Sequence, residues 1–147
     1  MAKKLINLLL AKSIIETIFV GTLAVVIYTK AFPPTFHGWG EAVVESQSIS
    51  GWAVDNADPR RRVVVYLFID GTHVGTSVAQ LSRPDVVAAG WAKDEDHGYS
   101  FFPGGFSVGI HEARVYALHK QGDRYTLQML GDPIRFEIET NATWKRR

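Results

Sequence analysis

The chain has 147 residues, with 16 basic and 15 acidic side chains and no cysteine. This length fits one ordinary domain plus an appendage. The lack of cysteine excludes disulfides and cysteine-based metal or redox sites, and the balanced charge lacks the concentrated basic face of nucleic-acid-binding proteins. Residues 1–30 carry four lysines and one glutamate, whereas the remainder carries twelve basic and fourteen acidic residues.

The first predicted element is a membrane-spanning helix within residues 1–30. Seventeen residues lie between Lys12 and Lys30, and as a helix they extend about 25 Å, just short of a typical hydrocarbon core. A cleaved signal peptide is the alternative, but its best cleavage site, Thr29-Lys30-Ala31, has a lysine in the middle. Three lysines precede the span and one follows it. The positive-inside rule then predicts a single-pass protein of the inner (cytoplasmic) membrane, with a cytoplasmic N-terminus and a periplasmic or otherwise extracytoplasmic C-terminal part.

Small and polar residues of the span fall on one helical arc, opposite the bulky aliphatic residues. Small residues let helices approach closely, and hydroxyl groups can bond across the contact. The predicted membrane-helix interaction face consists of Ser13, Glu16, Thr17, Gly21 and Ala24. Glu16 has two interpretations: it faces a protein partner, or it pairs with Lys12 one turn earlier.

Aromatic residues cluster just beyond the span, around a predicted linker at residues 31–40. Such side chains favour the interface between membrane and water. The predicted interfacial aromatics are Tyr28, Phe32, Phe36 and Trp39. Trp39 fits a domain core equally well.

Strand-like runs separated by turn signals predict an all-β domain over residues 41–140. The strongest strand is 62–69, which ends in the hairpin signal Asp70-Gly71. A helix of about two turns is expected to begin near Pro84 and to end at Gly90. About seven strands at this spacing predict an antiparallel immunoglobulin-like sandwich with one short helix. Residues 141–147 are expected to be a basic tail, of which residues 145–147 form a disordered end.

Several motifs of this region resemble a small bacterial β-sandwich module. They are GWAVD at 51–55, followed by VYLFIDG, SRPDV, HGYSF and HEARVYAL, and they cover about residues 50–138. The resemblance implies an immunoglobulin-like fold in a protein of the cell envelope. The module is mostly of unknown role, so the resemblance implies no catalytic residues. It sometimes accompanies carbohydrate-active enzymes, which implies that contact with glycans is one expectation.

The residue patterns favour binding over catalysis. The sequence has no Gly-x-Ser-x-Gly elbow and no His-Glu-x-x-His motif, and we predict a non-enzymatic protein without catalytic residues, metal or cofactor. The candidate ligand or partner surface is Trp91 with Asp94, Asp96 and His97. The acidic loop fits two interpretations, a metal site and a solvated turn. Trp91 is the best exposed candidate for stacking on a sugar.

These features together predict an accessory, structural subunit of a larger membrane protein complex. Its β-sandwich is expected to pack on the extracytoplasmic face of that complex. The predicted partners are integral membrane proteins and the lipid bilayer, and not nucleic acid. A membrane-tethered carbohydrate-binding module is the alternative, which leaves a glycan ligand open, and an uncharacterised enzyme is a third interpretation.

Overall fold

A computed structural model describes residues 2–31, 35–121 and 123–147, and the chain divides into two units, 1–34 and 35–147. The first unit contains one helix, α1 (Ala2–Ala31). Within it, Leu9–Ile27 is long and apolar enough to cross a membrane, and none of this stretch is buried. The predicted apolar helix is therefore present.

The second unit consists of two antiparallel sheets and one short helix. Its elements are β1 (Phe36–Val43), β2 (Ser48–Asp55), β3 (Val64–Ile69), β4 (Thr72–Val78), β5 (Leu81–Ser82), α2 (Pro84–Ala88), β6 (Asp96–Phe101), β7 (Gly109–Gln121), β8 (Arg124–Met129), β9 (Ile134–Ile138) and β10 (Trp144–Arg146). Sheet A has the strand order β1-β2-β6-β5. Sheet B has the order β10-β9-β7-β3-β4, and β8 also pairs with β7. The all-β class is thereby confirmed for the described part of the chain.

Inward and outward side chains alternate along the two central strands of sheet B. Val65 and Leu67 of β3, and Val115 and Ala117 of β7, are at most 1% exposed. These side chains form one core with inward residues of sheet A such as Ile49. The turn at Asp70-Gly71 has φ angles of 49° and 79°, which fits the two-residue hairpin that the sequence predicts.

The described residues contain ten strands, where the sequence predicted about seven. Strands β5 and β10, which have two and three residues, are among those that the sequence did not predict. Strands this short are below the length at which an alternating pattern can be recognised. Strand β10 also corrects the expectation of a disordered end at 145–147. Trp144 is 6% exposed, and its ring stacks on Phe136 with a centroid distance of 4.3 Å.

Strand β1 begins at Phe36, inside the stretch 31–40 that was assigned to a linker. Its glycines resemble a linker in sequence, but Gly40 faces the buried ring of Tyr99. A Cβ atom on Gly40 would lie 2.5 Å from the Tyr99 hydroxyl oxygen, and this hydroxyl donates to the carbonyl of Trp39 at 3.1 Å. The glycine is therefore part of the packing between strands β1 and β6.

Candidate functional site

The interfacial aromatics predicted beyond the span do not form one group. Phe36 is 6% exposed in the domain core, which corrects its assignment to a membrane interface, because its ring packs among buried side chains. Trp39 is 44% exposed on strand β1. Tyr28 lies in helix α1, at a position where only the backbone is described, and Phe32 lies outside the described residues.

The predicted helix face is exposed along its length within helix α1. Lys12 Nζ lies 3.7 Å from Glu16 Oε1, as in the interpretation that pairs these two side chains. The Thr17 hydroxyl donates to the Ser13 carbonyl at 2.9 Å. These polar groups therefore have partners within the helix itself. The interaction face stays a prediction. Because its polar groups are already bonded within the helix, the contribution that we expect from this face is close packing of its small residues.

The acidic loop of the candidate ligand surface is held together by an arginine. Arg62 Nη1 donates to Asp94 Oδ1 at 2.8 Å, and its Nη2 donates to Asp96 Oδ2 at 3.2 Å. His97 is completely buried, and its Nε2 lies 3.3 Å from Asp94 Oδ1. No group of three or more His, Asp or Glu side chains in the described ranges is arranged to hold a metal ion. Arg62 already binds the two carboxylates that a ligand of this loop would need.

Trp91 stands apart from that loop, on the outer side of sheet A. Its ring stacks on Trp52 at a centroid distance of 6.2 Å and lies 4.5 Å from the ring of His37. Trp39 is directly opposite Trp52 across strands β1 and β2. Trp91 is 47% exposed. The residues His37, Trp39, Trp52 and Trp91 form what we call the tryptophan face.

Helix α2 is the element that places Trp91 there. Val86 of this helix packs with Val54 and Ala92 in a small cluster separate from the main core. Ala53 belongs to the main core and its neighbour Val54 to this cluster, so the cluster lies on the opposite side of sheet A. The helix is followed by a left-handed backbone conformation at Gly90, with φ at 80°. The chain turns back there, and the Trp91 N–H donates to the Val86 carbonyl at 3.1 Å.

The outer side of sheet B carries apolar side chains where solvent-facing polar ones are expected. Directly opposed residues on neighbouring strands project to the same side. Tyr66 also opposes Thr76, and Phe68 opposes Arg114, but four opposed pairs are apolar on both strands. They are Val64 with Val78, Tyr66 with Tyr116, Tyr116 with Met129, and Leu118 with Leu127. We call these residues, together with Phe68 and Tyr125, the apolar face of sheet B.

A shallow concavity of about 650 Å³ lies at one end of the apolar face. Its lining is Phe68, Asp70, Gly71, Glu112, Arg114, Tyr116 and Leu127. The rings of Phe68 and Tyr116 meet edge to face at 5.4 Å. Glu112 accepts from Arg114 Nη2 at 2.6 Å and from Arg135 Nε at 3.3 Å. Aromatic walls with a few fixed polar groups are typical of a binding site.

A histidine–aspartate pair supports the charged rim of the concavity. His111 is 7% exposed. Its Nδ1 lies 2.6 Å from Asp70 Oδ2, and its Nε2 lies 2.8 Å from the Ser107 carbonyl oxygen. Two acceptors require two N–H donors, which only the imidazolium provides. Donation from the Glu112 backbone N–H and from His111 lowers the pKa of Asp70, and the Asp70 carboxylate raises the pKa of His111.

The apolar face was not predicted from the sequence. Residues 63–69 are apolar without interruption, and a continuous apolar run is the pattern of a strand buried on both sides. The structure buries Leu67 but leaves the neighbouring Phe68 half-buried on the outer side. The signal that was available is the run itself, because a strand with this sequence is apolar on both sides. When two sheets pack on each other, only one side of such a strand is covered, and its other side needs a further partner.

In comparisons with known proteins, no family model, no curated protein and no solved structure matched this chain. The resemblance to a bacterial β-sandwich module therefore stays a prediction. The functional assignment depends on the helix and on the surfaces of the β domain.

Proposed function

We propose that this chain is a single-pass membrane protein that serves as a non-enzymatic, accessory subunit of a larger membrane protein complex. In this proposal helix α1 is an uncleaved anchor with a cytoplasmic N-terminus, and the C-terminal domain is an immunoglobulin-like sandwich on the extracytoplasmic side. The apolar stretch Leu9–Ile27 and the lysines that precede it support the anchor and its orientation.

The observation that carries the proposal is the apolar face of sheet B. In an antiparallel sheet one side commonly packs on the core and the other is solvated and polar. Here Tyr125 is 60% exposed, Leu127 47% and Met129 39%, and Val64 and Val78 on the far strands are 38% and 37% exposed. A contiguous apolar patch of this kind, bordered by charged residues, marks an interaction surface.

The charged residues beside this face are suited to positioning a protein partner at its rim. Hydrogen bonds from Arg114 and Arg135 lower the pKa of Glu112, and the pKa of Asp70 is lowered as well. A general acid or base works best with a pKa near the operating pH. Carboxylates that stay ionised at neutral pH fit the rim of a protein interface better than proton transfer.

The helix would add a second contact to the same partner. Its exposed small residues, among them Gly21 and Ala24, allow a neighbouring helix to approach closely. Two linked contacts raise each other's effective concentration. A modest interface on sheet B is then enough for stable assembly.

Site-specific photocrosslinking in native membranes tests this function. A photoreactive residue at Leu127 is expected to form a covalent adduct with one integral membrane protein in a fixed ratio. The same residue at Lys93, which is exposed outside the apolar face, is the matched control. Equal crosslinking at both positions, or crosslinking to lipid alone at Leu127, would contradict the proposed interface.

A carbohydrate-binding function is the second candidate, and the tryptophan face favours it. The exposed ring of Trp91, backed by Trp52 at 6.2 Å, offers the flat aromatic surface on which a sugar ring can stack. A glycan array with the full-length protein tests it. Binding that Trp91→Ala abolishes and Tyr125→Ala leaves intact would establish this function. Absence of binding by the wild-type protein would reject it.

A further inference from the structure

A pocket of about 180 Å³ lies where the chain enters the β domain. Three basic side chains and no acidic ones line it, together with apolar and aromatic groups. Its lining is Phe36, Arg61, Arg62, Val63, Val64, Leu118, Lys120 and Tyr125. We call it the basic pocket.

The three cations differ in how far they are neutralised. Arg62 is bound to Asp94 and Asp96. Arg61 lies 3.7 Å from Asp55 but stays 68% exposed, which leaves most of its N–H donors available. Among the described side chains no carboxylate lies within 4 Å of the Lys120 ammonium, which instead stands 5.5 Å from the centre of the Tyr125 ring. The pocket therefore offers donors from Arg61 and Lys120 to an anion.

The entry of the chain is fixed beside this pocket. The backbone N–H groups of Thr35 and Phe36 donate to Gln128 Oε1 at 3.0 and 3.2 Å. Gln128 Nε2 donates in return to the Phe36 carbonyl at 2.8 Å. Phe36 also lines the basic pocket. The start of strand β1 is thereby tied to strand β8 next to the basic side chains.

Chain length keeps this entry point close to a bilayer that contains the apolar helix. Ile27 is the last residue of the membrane-spanning candidate, and Thr35 follows eight residues later. The chain between the end of the candidate span and the start of β1 can therefore extend over at most about 28 Å.

We propose that the basic pocket binds the phosphate group of an anionic membrane phospholipid. Arg61 and Lys120 would donate to the phosphate oxygens, as in other charge-assisted contacts. The half-exposed apolar side chains Val64 and Leu118 and the ring of Tyr125 suit the apolar portion of a lipid better than free phosphate. This inference rests on the proposed anchoring of the chain in a membrane. Val64, Leu118 and Tyr125 belong both to the basic pocket and to the apolar face of sheet B, so the lipid would lie at the edge of the proposed protein interface.

The test uses the full-length protein in a nonionic detergent and native mass spectrometry of bound lipid. Phosphatidylglycerol is the anionic probe, phosphatidylcholine carries the same phosphate without net charge, and inorganic phosphate is the third probe. Basic residues near a membrane surface each contribute substantially to binding anionic lipid. Arg61→Gln with Lys120→Gln is expected to weaken phosphatidylglycerol binding about tenfold or more.

Two controls make the result specific. Lys93→Gln with Lys145→Gln removes the same charge from exposed positions outside the pocket and is expected to leave binding within about twofold of wild type. Lys120→Gln alone breaks no ion pair and covers the case in which loss of Arg61 unfolds the domain. Equal losses in both double variants, or no loss in Lys120→Gln, would overturn the proposal.

The other probes separate this inference from the proposed function. Displacement of phosphatidylglycerol by millimolar inorganic phosphate would assign the pocket to free phosphate and overturn the lipid. Equal affinity for phosphatidylcholine would overturn the anionic preference. Loss of lipid binding in the pocket variant with an unchanged Leu127 crosslink would leave the protein interface intact, because the variant changes Arg61 and Lys120, which are not part of the apolar face.

Discussion

His111 Nδ1 lies 2.6 Å from Asp70 Oδ2, so that a buried imidazolium joins the turn of the β3–β4 hairpin to strand β7. The other carboxylate oxygen of Asp70 accepts from the Glu112 backbone N–H at 3.0 Å. This pair holds the hairpin turn at the rim of the concavity and orders its charged residues.

The pair is expected to give the domain a defined pH dependence. The pKa of His111 is raised from 6.5, so its contribution is complete below that pH and is lost as the pH rises through the folded value. The pKa of Asp70 is lowered from 3.8, so its contribution is lost as the pH falls through the folded value. In urea unfolding near pH 5, the free energy of unfolding of the wild type should exceed that of Asp70→Asn by about 1 kcal/mol. The difference is expected to be this small because Asp70 is half exposed to solvent. This difference in the free energy of unfolding should shrink in alkaline solution. A difference that stays constant with pH would contradict an ionic interaction between His111 and Asp70.

A second prediction concerns the glycine that faces Tyr99. Gly40→Ala is expected to destabilise the domain by about 1–3 kcal/mol, because the new Cβ meets the Tyr99 hydroxyl. Tyr99→Phe removes that oxygen, and the next atom in line, Ile134 Cδ1, is 3.3 Å away. Gly40→Ala should therefore cost less in the Tyr99→Phe background than in wild type. Additive effects in this double-mutant cycle would rule out the contact.

A third prediction addresses the end of the chain. Trp144→Ala should lower the free energy of unfolding by about 3–5 kcal/mol, because the ring is buried against Phe136. Its neighbour Lys145 is exposed, and Lys145→Ala should change stability by less than about 0.5 kcal/mol. Chemical denaturation of both variants measures the two changes in the free energy of unfolding. Equal stabilities would mean that β10 adds nothing to the domain.

These residues show what the sequence could predict. Strand β3 was predicted together with its turn, because an apolar run ends in the hairpin signal Asp70-Gly71. Strand β10 was missed, because three residues carry no periodic signal and the basic neighbours of Trp144 suggested a solvated end. The apolar face was missed for the opposite reason, since Phe68 looks like a core residue in any local pattern. Only the sheet pairing shows which side of a strand is covered.

The orientation of the anchor can be measured by cysteine labelling, because the chain contains no cysteine of its own. Single variants Lys4→Cys and Lys145→Cys place one thiol on either side of the apolar helix. In intact cells stripped of any outer envelope, a membrane-impermeant maleimide is expected to label Lys145→Cys only. Labelling of Lys4→Cys alone would reverse the topology, and recovery of both thiols in a soluble fraction would indicate that no anchor is retained.

In the proposed function the protein is a subunit of a larger membrane assembly, which it joins through the apolar face of sheet B. The most direct test is the mass and composition of the native protein after mild-detergent solubilisation, for wild type, Leu127→Glu and Phe102→Glu. Phe102 is 73% exposed outside sheet B and controls for the added charge. We predict a large particle with an integral membrane partner in fixed ratio for wild type and Phe102→Glu, and loss of that partner in folded Leu127→Glu. A wild-type protein that runs as a lone monomer or simple dimer would contradict the proposed function.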